Sequence, residues 1–312
     1  MTASPGTQRW LRIARRVWLT LLAALLLRAL IGNRDALAEL ARVDRPWLLA
    51  VALLLSFGQL ALSATFWVRA LAATGQQVAW HTALGATARS VPARYVPGSV
   101  WYAMSRGAML RATGVRLGAL TVTAVLESVF TVLVSLGLGG GLLAVAGRLP
   151  GRQLTGVAWV LVLAVVTAPP VLNRLLGWVA RRRGTTAPRL SWSDHTALIA
   201  WMAAFWTLSA ATFTVYLLAF GLDLPAPPVV AGVFLVAWAV GFLTPIAPQG
   251  AGAFEVVFVA MLVGGADGSL IVVVAAFRAL IGLRDAVAFG WGSWCDPRPL
   301  TPASPPRRSA QR

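Results

Sequence analysis

Long uninterrupted runs of apolar residues constrain this chain more than any other feature. About 20 apolar residues are needed for a helix to cross the hydrocarbon core of a bilayer. Full-length spans are predicted at about 14–31, 46–70, 116–137, 154–176, 195–220 and 269–292. Hydrophobic residues make up 58% of the 312 residues and charged residues 12%, whereas a soluble domain carries roughly 25% charged residues. The chain is therefore predicted to be an all-α polytopic membrane helix bundle.

Two further apolar regions, at about 79–113 and 228–265, are interrupted by proline and glycine. The breaks lie around "YVPGS" and "TPIAPQGAG", and each leaves two half-length helical segments. A backbone break in hydrocarbon is tolerated only where protein or a wet cavity satisfies the exposed amides. Each region is predicted to be a re-entrant helical hairpin, which makes about eight hydrophobic segments in all. A pair of kinked spans without a ligand role is the alternative.

The distribution of arginine predicts the orientation of the spans, because basic residues concentrate in cytoplasmic loops. All 27 basic residues are arginine. They mark as cytoplasmic the N-terminus, the segment "RRRGTTAPR" at 181–189 and the tail "DPRPLTPASPPRRSAQR". With six full spans, these three segments share one side only if both broken regions return to the side they came from. Two opposed hairpins of this kind are typical of an inverted repeat, and the 152 positions between Gly98 and Gly250 are weak support for it.

The predicted organisation has three parts. A basic cytoplasmic N-terminus occupies 1–13, a single transmembrane domain occupies 14–292, and a disordered basic cytoplasmic tail occupies 293–312. Nucleic-acid binding is disfavoured, because the arginines are scattered between apolar spans rather than gathered on one domain.

Several charged residues lie within the apolar regions. Arg106 and Glu255 follow the two breaks, Glu127 is near the centre of 116–137, and Arg278 is central in the last span. A charge at the bilayer centre costs at least roughly 2.5–3.5 kcal/mol on insertion scales, so these side chains are expected to face inward and to have partners. Salt bridges that merely hold the bundle together are one interpretation. Binding of an anionic group by Arg106 and by the half-helix N-termini is the other.

Little in the sequence points to enzymatic chemistry. His81 and His195 have no metal-ligand neighbour at helical spacing, and the single cysteine, Cys295, excludes an internal disulfide. Asp194 is expected to cap a helix rather than to act with His195 in catalysis. No Walker loop is present. The chain is therefore predicted not to be an enzyme, with no cofactor, no metal site and no catalytic residue.

Two motifs, in this order, resemble the lysylphosphatidylglycerol synthase transmembrane region family, the flippase part of multiple peptide resistance factor proteins. The first is "RYVPGSVWYAMSRGAMLRATG" followed by "AVLESV", and the second is "LTPIAPQGAGAFEVVFVAML" followed by "AAFRAL". The similarity covers roughly 46–292. The candidate substrate-binding residues that the motifs imply are Tyr95, Pro97, Gly98, Arg106, Glu127, Gly250, Gly252, Glu255 and Arg278.

The resemblance implies a lipid translocase of the bacterial cytoplasmic membrane with both termini in the cytoplasm. Its substrate would be a phospholipid or a polyprenyl-phosphate-linked headgroup, moved between leaflets without ATP hydrolysis. The family's soluble aminoacyl-transferase domain does not follow the membrane part, so synthesis of lysyl-lipid is not implied. The alternative is a non-transporting lipid-binding subunit that serves a separately encoded glycosyl- or aminoacyl-transferase. A membrane-embedded transferase is a third reading, for which no catalytic residues are found.

Overall fold

The computed structural model describes residues 43–96, 100–148, 169–182, 189–244, 250–265 and 267–295. Nine α-helices and one short 3₁₀ segment, Val91–Tyr95, account for most of these residues, and no strand occurs among them. The helices are α1 Pro46–Ala73, α2 Trp80–Ser90, α3 Val100–Arg111, α4 Leu117–Val145, α5 Pro169–Arg182, α6 Trp192–Leu218, α7 Pro227–Leu243, α8 Ala253–Val263 and α9 Gly268–Cys295. For the described residues, the all-α prediction is confirmed.

Three of the described helices are long and apolar enough to cross a membrane. They are α1, α4 and α6, with 28, 29 and 27 residues. At 1.5 Å per residue each is about 40 Å long, which exceeds the hydrocarbon core of about 30 Å. They coincide with the predicted spans at 46–70, 116–137 and 195–220. Helix α9 also has 28 residues, but Arg278, Arg284 and Asp285 interrupt its apolar character.

The remaining two predicted spans are described in part or not at all. The span at 14–31 lies outside the described residues, as do 154–168. From Pro169 the chain is helical as far as Arg182, so the predicted end at residue 176 is too early. No proline or glycine interrupts the helix between Trp178 and Arg182, and the backbone therefore continues into the arginine-rich segment.

Both broken regions consist of separate short helices, as their prolines and glycines predicted. In the first region α2 ends at Ser90, the 3₁₀ segment with Pro92 follows, and α3 begins at Val100. In the second region α7 and α8 have 17 and 11 residues. These helices rise about 25 Å and 17 Å, less than a bilayer core. Because α2 packs against α3, and α7 against α8, each region folds back on itself.

The helices of the two halves pack in matching pairs. The first half runs α1, α2, α3, α4 and the second runs α6, α7, α8, α9. Helix α1 packs on α6 at the centre, α4 packs on α7, and α9 packs on α2. Within the halves, α3 lies on α4 as α8 lies on α9. The last helix of the first half, α4, therefore covers α7, and the last helix of the second half, α9, covers α2.

Small residues permit these close approaches. A Cβ at Gly139 of α4 would lie 2.9 Å from the Gly232 carbonyl oxygen of α7, and one at Gly292 of α9 would lie 3.0 Å from the Ala88 Cβ of α2. Gly139 and Gly292 are 153 positions apart. Gln59 of α1 donates to Thr212 of α6 at 3.2 Å, and these two residues are also 153 positions apart. Glycine thus permits close packing at both the α4–α7 and the α9–α2 contact, and a hydrogen bond joins α1 to α6.

Candidate functional site

Arg106 on α3 is wholly buried between the two apolar helices α1 and α4. Its side chain has no exposed surface. One guanidinium nitrogen, Nη1, donates to Glu127 Oε1 at 3.1 Å and to Ser63 Oγ at 3.2 Å. The hydroxyl of Ser63 in turn donates to the same carboxylate oxygen at 3.4 Å. The sequence prediction that Arg106 and Glu127 face the protein interior is borne out by this ion pair.

Two aromatic rings flank the guanidinium of Arg106. Its Cζ atom lies 4.7 Å from the ring centroid of Trp67 and 4.3 Å from that of Tyr102. A cation over an aromatic face is attracted by the ring quadrupole, and more strongly where water is excluded. Trp67 is fully buried, so the rings hold the guanidinium plane without using its hydrogen-bond donors.

The other two nitrogens of Arg106, Nε and Nη2, are buried and have no hydrogen-bond partner among the described residues. These atoms lie along one edge of the guanidinium, and their N–H bonds are parallel. Such an edge binds two oxygens of a carboxylate or phosphate simultaneously. We call this edge the Arg106 fork. Unpaired buried donors destabilise a fold by about 1–3 kcal/mol each, and by more when they are charged.

A second group of charged side chains continues from Tyr102. Arg94 donates to the Tyr102 hydroxyl at 2.7 Å, and its Cζ lies 4.1 Å from the ring centroid. Arg94 is also 3.9 Å from the Asp285 carboxylate, which accepts from Arg284 Nε at 2.9 Å and from the Tyr95 hydroxyl at 3.1 Å. We use the name arginine cluster for Arg94, Arg106, Glu127, Arg284 and Asp285.

The arginine cluster is anchored to the centre of the bundle. Arg284 Nη1 donates to Gln59 Oε1 at 2.9 Å, and the amide nitrogen of Gln59 donates to Thr212. Arg284 and Asp285 are almost fully buried. These adjacent residues form a salt bridge with each other, and Asp285 additionally joins α9 to the 3₁₀ segment through Tyr95.

In the second half, Glu255 makes the corresponding ion pair with the charges exchanged. Glu255 lies at the start of α8, and its Oε1 accepts from Arg278 Nε of α9 at 2.6 Å. Its Oε2 accepts from the backbone N–H of Gly252 at 2.7 Å. Arg278 is 30% exposed and Glu255 6%. The cation is on the short helix α3 in the first half, whereas the anion is on the short helix α8 in the second.

The Glu255 carboxylate caps α8 locally, because its Oε2 accepts from the backbone N–H of the N-cap residue, Gly252. The expectation that the half-helix N-termini bind an anionic group stays a prediction. Gly252 and Gly250 adopt φ angles of +88° and +67°, a region in which side chains are disfavoured. A Cβ at Gly250 would also overlap the backbone of Gly241 on α7.

The predicted site residues divide into two groups. Arg106 and Glu127 meet in the first half, with Tyr95 nearby on Asp285, and Gly250, Gly252, Glu255 and Arg278 meet in the second. Pro97 and Gly98 lie outside the described residues. No described hydrogen bond joins the two ion pairs directly. Arg278 of the second pair lies on α9 itself, whereas the first pair is linked to α9 through Tyr102 and Arg94, which is 3.9 Å from Asp285. Arg278 and Asp285 are seven positions apart, about two helical turns on the same face.

The sequence did not identify several residues of the site, namely Gln59, Ser63, Trp67 and Arg94. A usable signal was present in α1. Ser56, Gln59, Ser63 and Trp67 recur at intervals of three or four residues in an otherwise apolar helix, which places them on one face. A polar stripe in a membrane span marks the side that faces other protein groups.

The second histidine, His195, packs against an aromatic ring at the start of α6. No group of three or more His, Cys, Asp or Glu residues in the described part of the chain could hold a metal ion. His195 is buried, with its ring centroid 5.3 Å from that of Phe130. Asp194 accepts from the backbone N–H of Ser191 at 3.1 Å and donates its own N–H to the Ser191 hydroxyl. The predicted capping role of Asp194 is thereby confirmed.

Comparison with known proteins identifies one family. The family model described as Lysylphosphatidylglycerol synthase TM region matches residues 16–284. The match includes both motifs and both ion pairs. No curated protein and no solved structure matches the chain.

Proposed function

Since this chain belongs to the lysylphosphatidylglycerol synthase TM-region family, we propose that it is an integral membrane lipid translocase. It moves a phospholipid or a lipid-linked anionic headgroup between leaflets without ATP hydrolysis. The observation that carries the proposal is the Arg106 fork, a buried pair of charged donors without an acceptor. It is held between apolar helices that are long enough to span a bilayer.

A purely structural role would leave the Arg106 fork unexplained. An arginine that only joins helices is most stable when the N–H groups along both edges of its guanidinium are hydrogen-bonded. Here Glu127 engages a single nitrogen, although the aromatic rings of Trp67 and Tyr102 hold the guanidinium in place. The arrangement is that of a preorganised oxyanion site, with an anionic headgroup as the missing acceptor.

The matched packing of the two halves supports a mechanism of alternating access. We propose six full spans and two opposed re-entrant hairpins arranged as an inverted repeat, in the bacterial cytoplasmic membrane with both termini inside. The ion pair Arg106–Glu127 joins α3 to α4, and Glu255–Arg278 joins α8 to α9. Exchange of these equivalent contacts would open the central region alternately to the two leaflets.

Two glutamates near the arginines supply the negative charge that a translocation cycle needs. Glu255 or Glu127 would meet a cationic part of the headgroup or take up a coupling proton while the phosphate occupies the Arg106 fork. Transport then requires no covalent chemistry. The chain acts as a carrier, and any transferase that makes or uses the lipid is a separate protein.

The test is leaflet-resolved transport in liposomes that contain the purified protein and a fluorescent phospholipid. Arg106→Ala should abolish movement of the probe, and thermal unfolding of the same preparation establishes that the variant is folded. Arg111→Ala is the matched control, since Arg111 is an exposed arginine at the end of the same helix. Normal transport by Arg106→Ala would remove the role proposed for the fork. Binding of lipid without movement in the unmodified protein would instead support the non-transporting accessory subunit.

A further inference from the structure

We propose that the arginine cluster selects a lipid headgroup with a single negative charge, a phosphodiester, and that Glu127 is the residue that sets this selectivity. The inference rests on the proposed translocase function and names the class of headgroup for its site. It is carried by two observations at the same place, the charge of the cluster and the unpaired fork of Arg106.

The described contacts of the cluster leave one positive charge in excess. Arg94, Arg106 and Arg284 contribute three cations, and Glu127 and Asp285 contribute two carboxylates. Arginine stays protonated in proteins, and each carboxylate is paired with a guanidinium. Asp285 is shared between Arg284 and Arg94, while Glu127 pairs with Arg106.

The open donors belong to Arg106, and the excess charge belongs to Arg94 and Arg284, which share the single carboxylate of Asp285. Arg94 and Arg106 both lie against the ring of Tyr102. Glu127 and Ser63 both accept a hydrogen bond from Nη1 of Arg106. The two nitrogens of the fork have no acceptor among the described residues. Arg94, in contrast, donates to Tyr102, and Arg284 is bonded to Asp285 and Gln59. An anion at the Arg106 fork would therefore find two open donors, and the excess positive charge lies on the neighbouring side of the Tyr102 ring.

A phosphodiester matches this position in oxygen count and in charge. Its two non-bridging oxygens share one negative charge, and the parallel N–H groups of the fork fit two such oxygens. A phosphate monoester with two charges would leave one negative charge uncompensated beside the rings of Trp67 and Tyr102, where water is excluded. Charges of that kind are strongly disfavoured. A soluble phosphodiester offers the same chemistry as a lipid, but the cluster lies between the apolar helices α1 and α4, which favours the lipid.

Glu127 controls the net charge of the arginine cluster, because its negative charge can be removed without removing its hydrogen bonds. In Glu127→Gln the amide oxygen can still accept from Arg106 and Ser63. The cluster then carries two excess positive charges instead of one. Selectivity should shift from the singly charged phosphodiester towards the doubly charged monoester.

The experiment compares two fluorescent lipids that differ by one methyl group, phosphatidylmethanol and phosphatidate, in liposomes at about pH 8. The monoester is mostly doubly charged there, because the second pKa of a phosphate monoester is about 6. The unmodified protein should move phosphatidylmethanol at least about tenfold faster than phosphatidate, and Glu127→Gln should narrow or reverse that ratio. Asp223→Asn is the control, since it changes the net charge equally at an exposed residue outside the cluster.

The outcomes separate this inference from the proposed function. Movement of neither lipid by the unmodified protein overturns the translocase itself. Equal movement of both lipids, or the same ratio in Glu127→Gln as in Asp223→Asn, overturns the charge selectivity and leaves the translocase intact. If Glu127→Gln fails to fold, the ratio of the two transport rates in the unmodified protein still decides whether a singly charged headgroup is selected. Soluble dimethyl phosphate is the second arm. Its binding to a protein that binds neither lipid would overturn the assignment to a lipid headgroup.

Discussion

Arg106 donates from Nη1 to Glu127 on the neighbouring helix at 3.1 Å, while its Nε and Nη2 atoms face no acceptor. The ion pair therefore uses less than half of the hydrogen-bonding capacity of the guanidinium. Glu255 and Arg278 form the equivalent pair in the other half with the charges exchanged. The predictions below test what each of these contacts does.

Arg106→Lys should reduce lipid transport by at least about tenfold although the positive charge is kept. The reason is that an ammonium is a point donor, which cannot reproduce the parallel N–H bonds of the fork or its flat contact with two aromatic rings. The measurement is the initial rate of probe movement in liposomes, with Arg111→Lys at the exposed end of α3 as control. Full activity of Arg106→Lys would show that charge alone is recognised.

Arg278→Gln should destabilise the protein more than the double variant Glu255→Gln/Arg278→Gln. Removal of the cation leaves the buried carboxylate of Glu255 without its partner, whereas removal of both charges does not. Breaking a fully buried pair costs about 3–5 kcal/mol, and the 30% exposure of Arg278 reduces the expected loss to about 2 kcal/mol. Thermal or denaturant unfolding of the purified variants in detergent checks this order. A double variant less stable than Arg278→Gln would contradict it.

Gly139→Ala should destabilise the contact between α4 and α7 by about 1–3 kcal/mol, because overpacking forces neighbouring atoms apart. The added Cβ would lie 2.9 Å from both the Gly232 oxygen and the Leu235 Cβ. Gly141→Ala is the matched control on the same helix, since a Cβ there meets nothing within 4 Å. The control should be neutral or stabilising by up to about 1 kcal/mol, owing to the higher helix propensity of alanine. Equal unfolding temperatures for the two variants would exclude close packing at Gly139.

Cys295 should react with a membrane-impermeant maleimide only from the cytoplasmic side. It is the single cysteine of the chain and is exposed at the end of α9, next to the basic tail that is predicted to be inside. Labelling should therefore occur in inverted vesicles and be absent in spheroplasts. In the Cys295→Ser background, Asp223→Cys in the loop between α6 and α7 should show the reverse pattern. Labelling of both positions from one side would contradict the proposed six spans with opposed hairpins.

The distinction between local and long-range information explains what could be predicted. Helix α1 follows from its run of apolar residues, and the breaks after Tyr95 and Leu243 follow from nearby proline and glycine, because both properties depend on neighbouring residues only. The need for partners followed from the cost of a charge in hydrocarbon, so the involvement of Arg106 and Glu127 was foreseeable. The distance between the two side chains and the atoms that are in contact could not be predicted.

The sequence by itself determined that this chain is helical, that two of its apolar regions are broken, and that charged side chains must face one another inside. Only the tertiary structure decided that Glu255 pairs with Arg278, and that Tyr95 and Arg94 reach Asp285. Tyr95 and Asp285 are 190 positions apart, and which donors find acceptors at that separation depends on how the helices pack. The same packing left two nitrogens of Arg106 unpaired, because Glu127 and Ser63 approach the guanidinium from one side only.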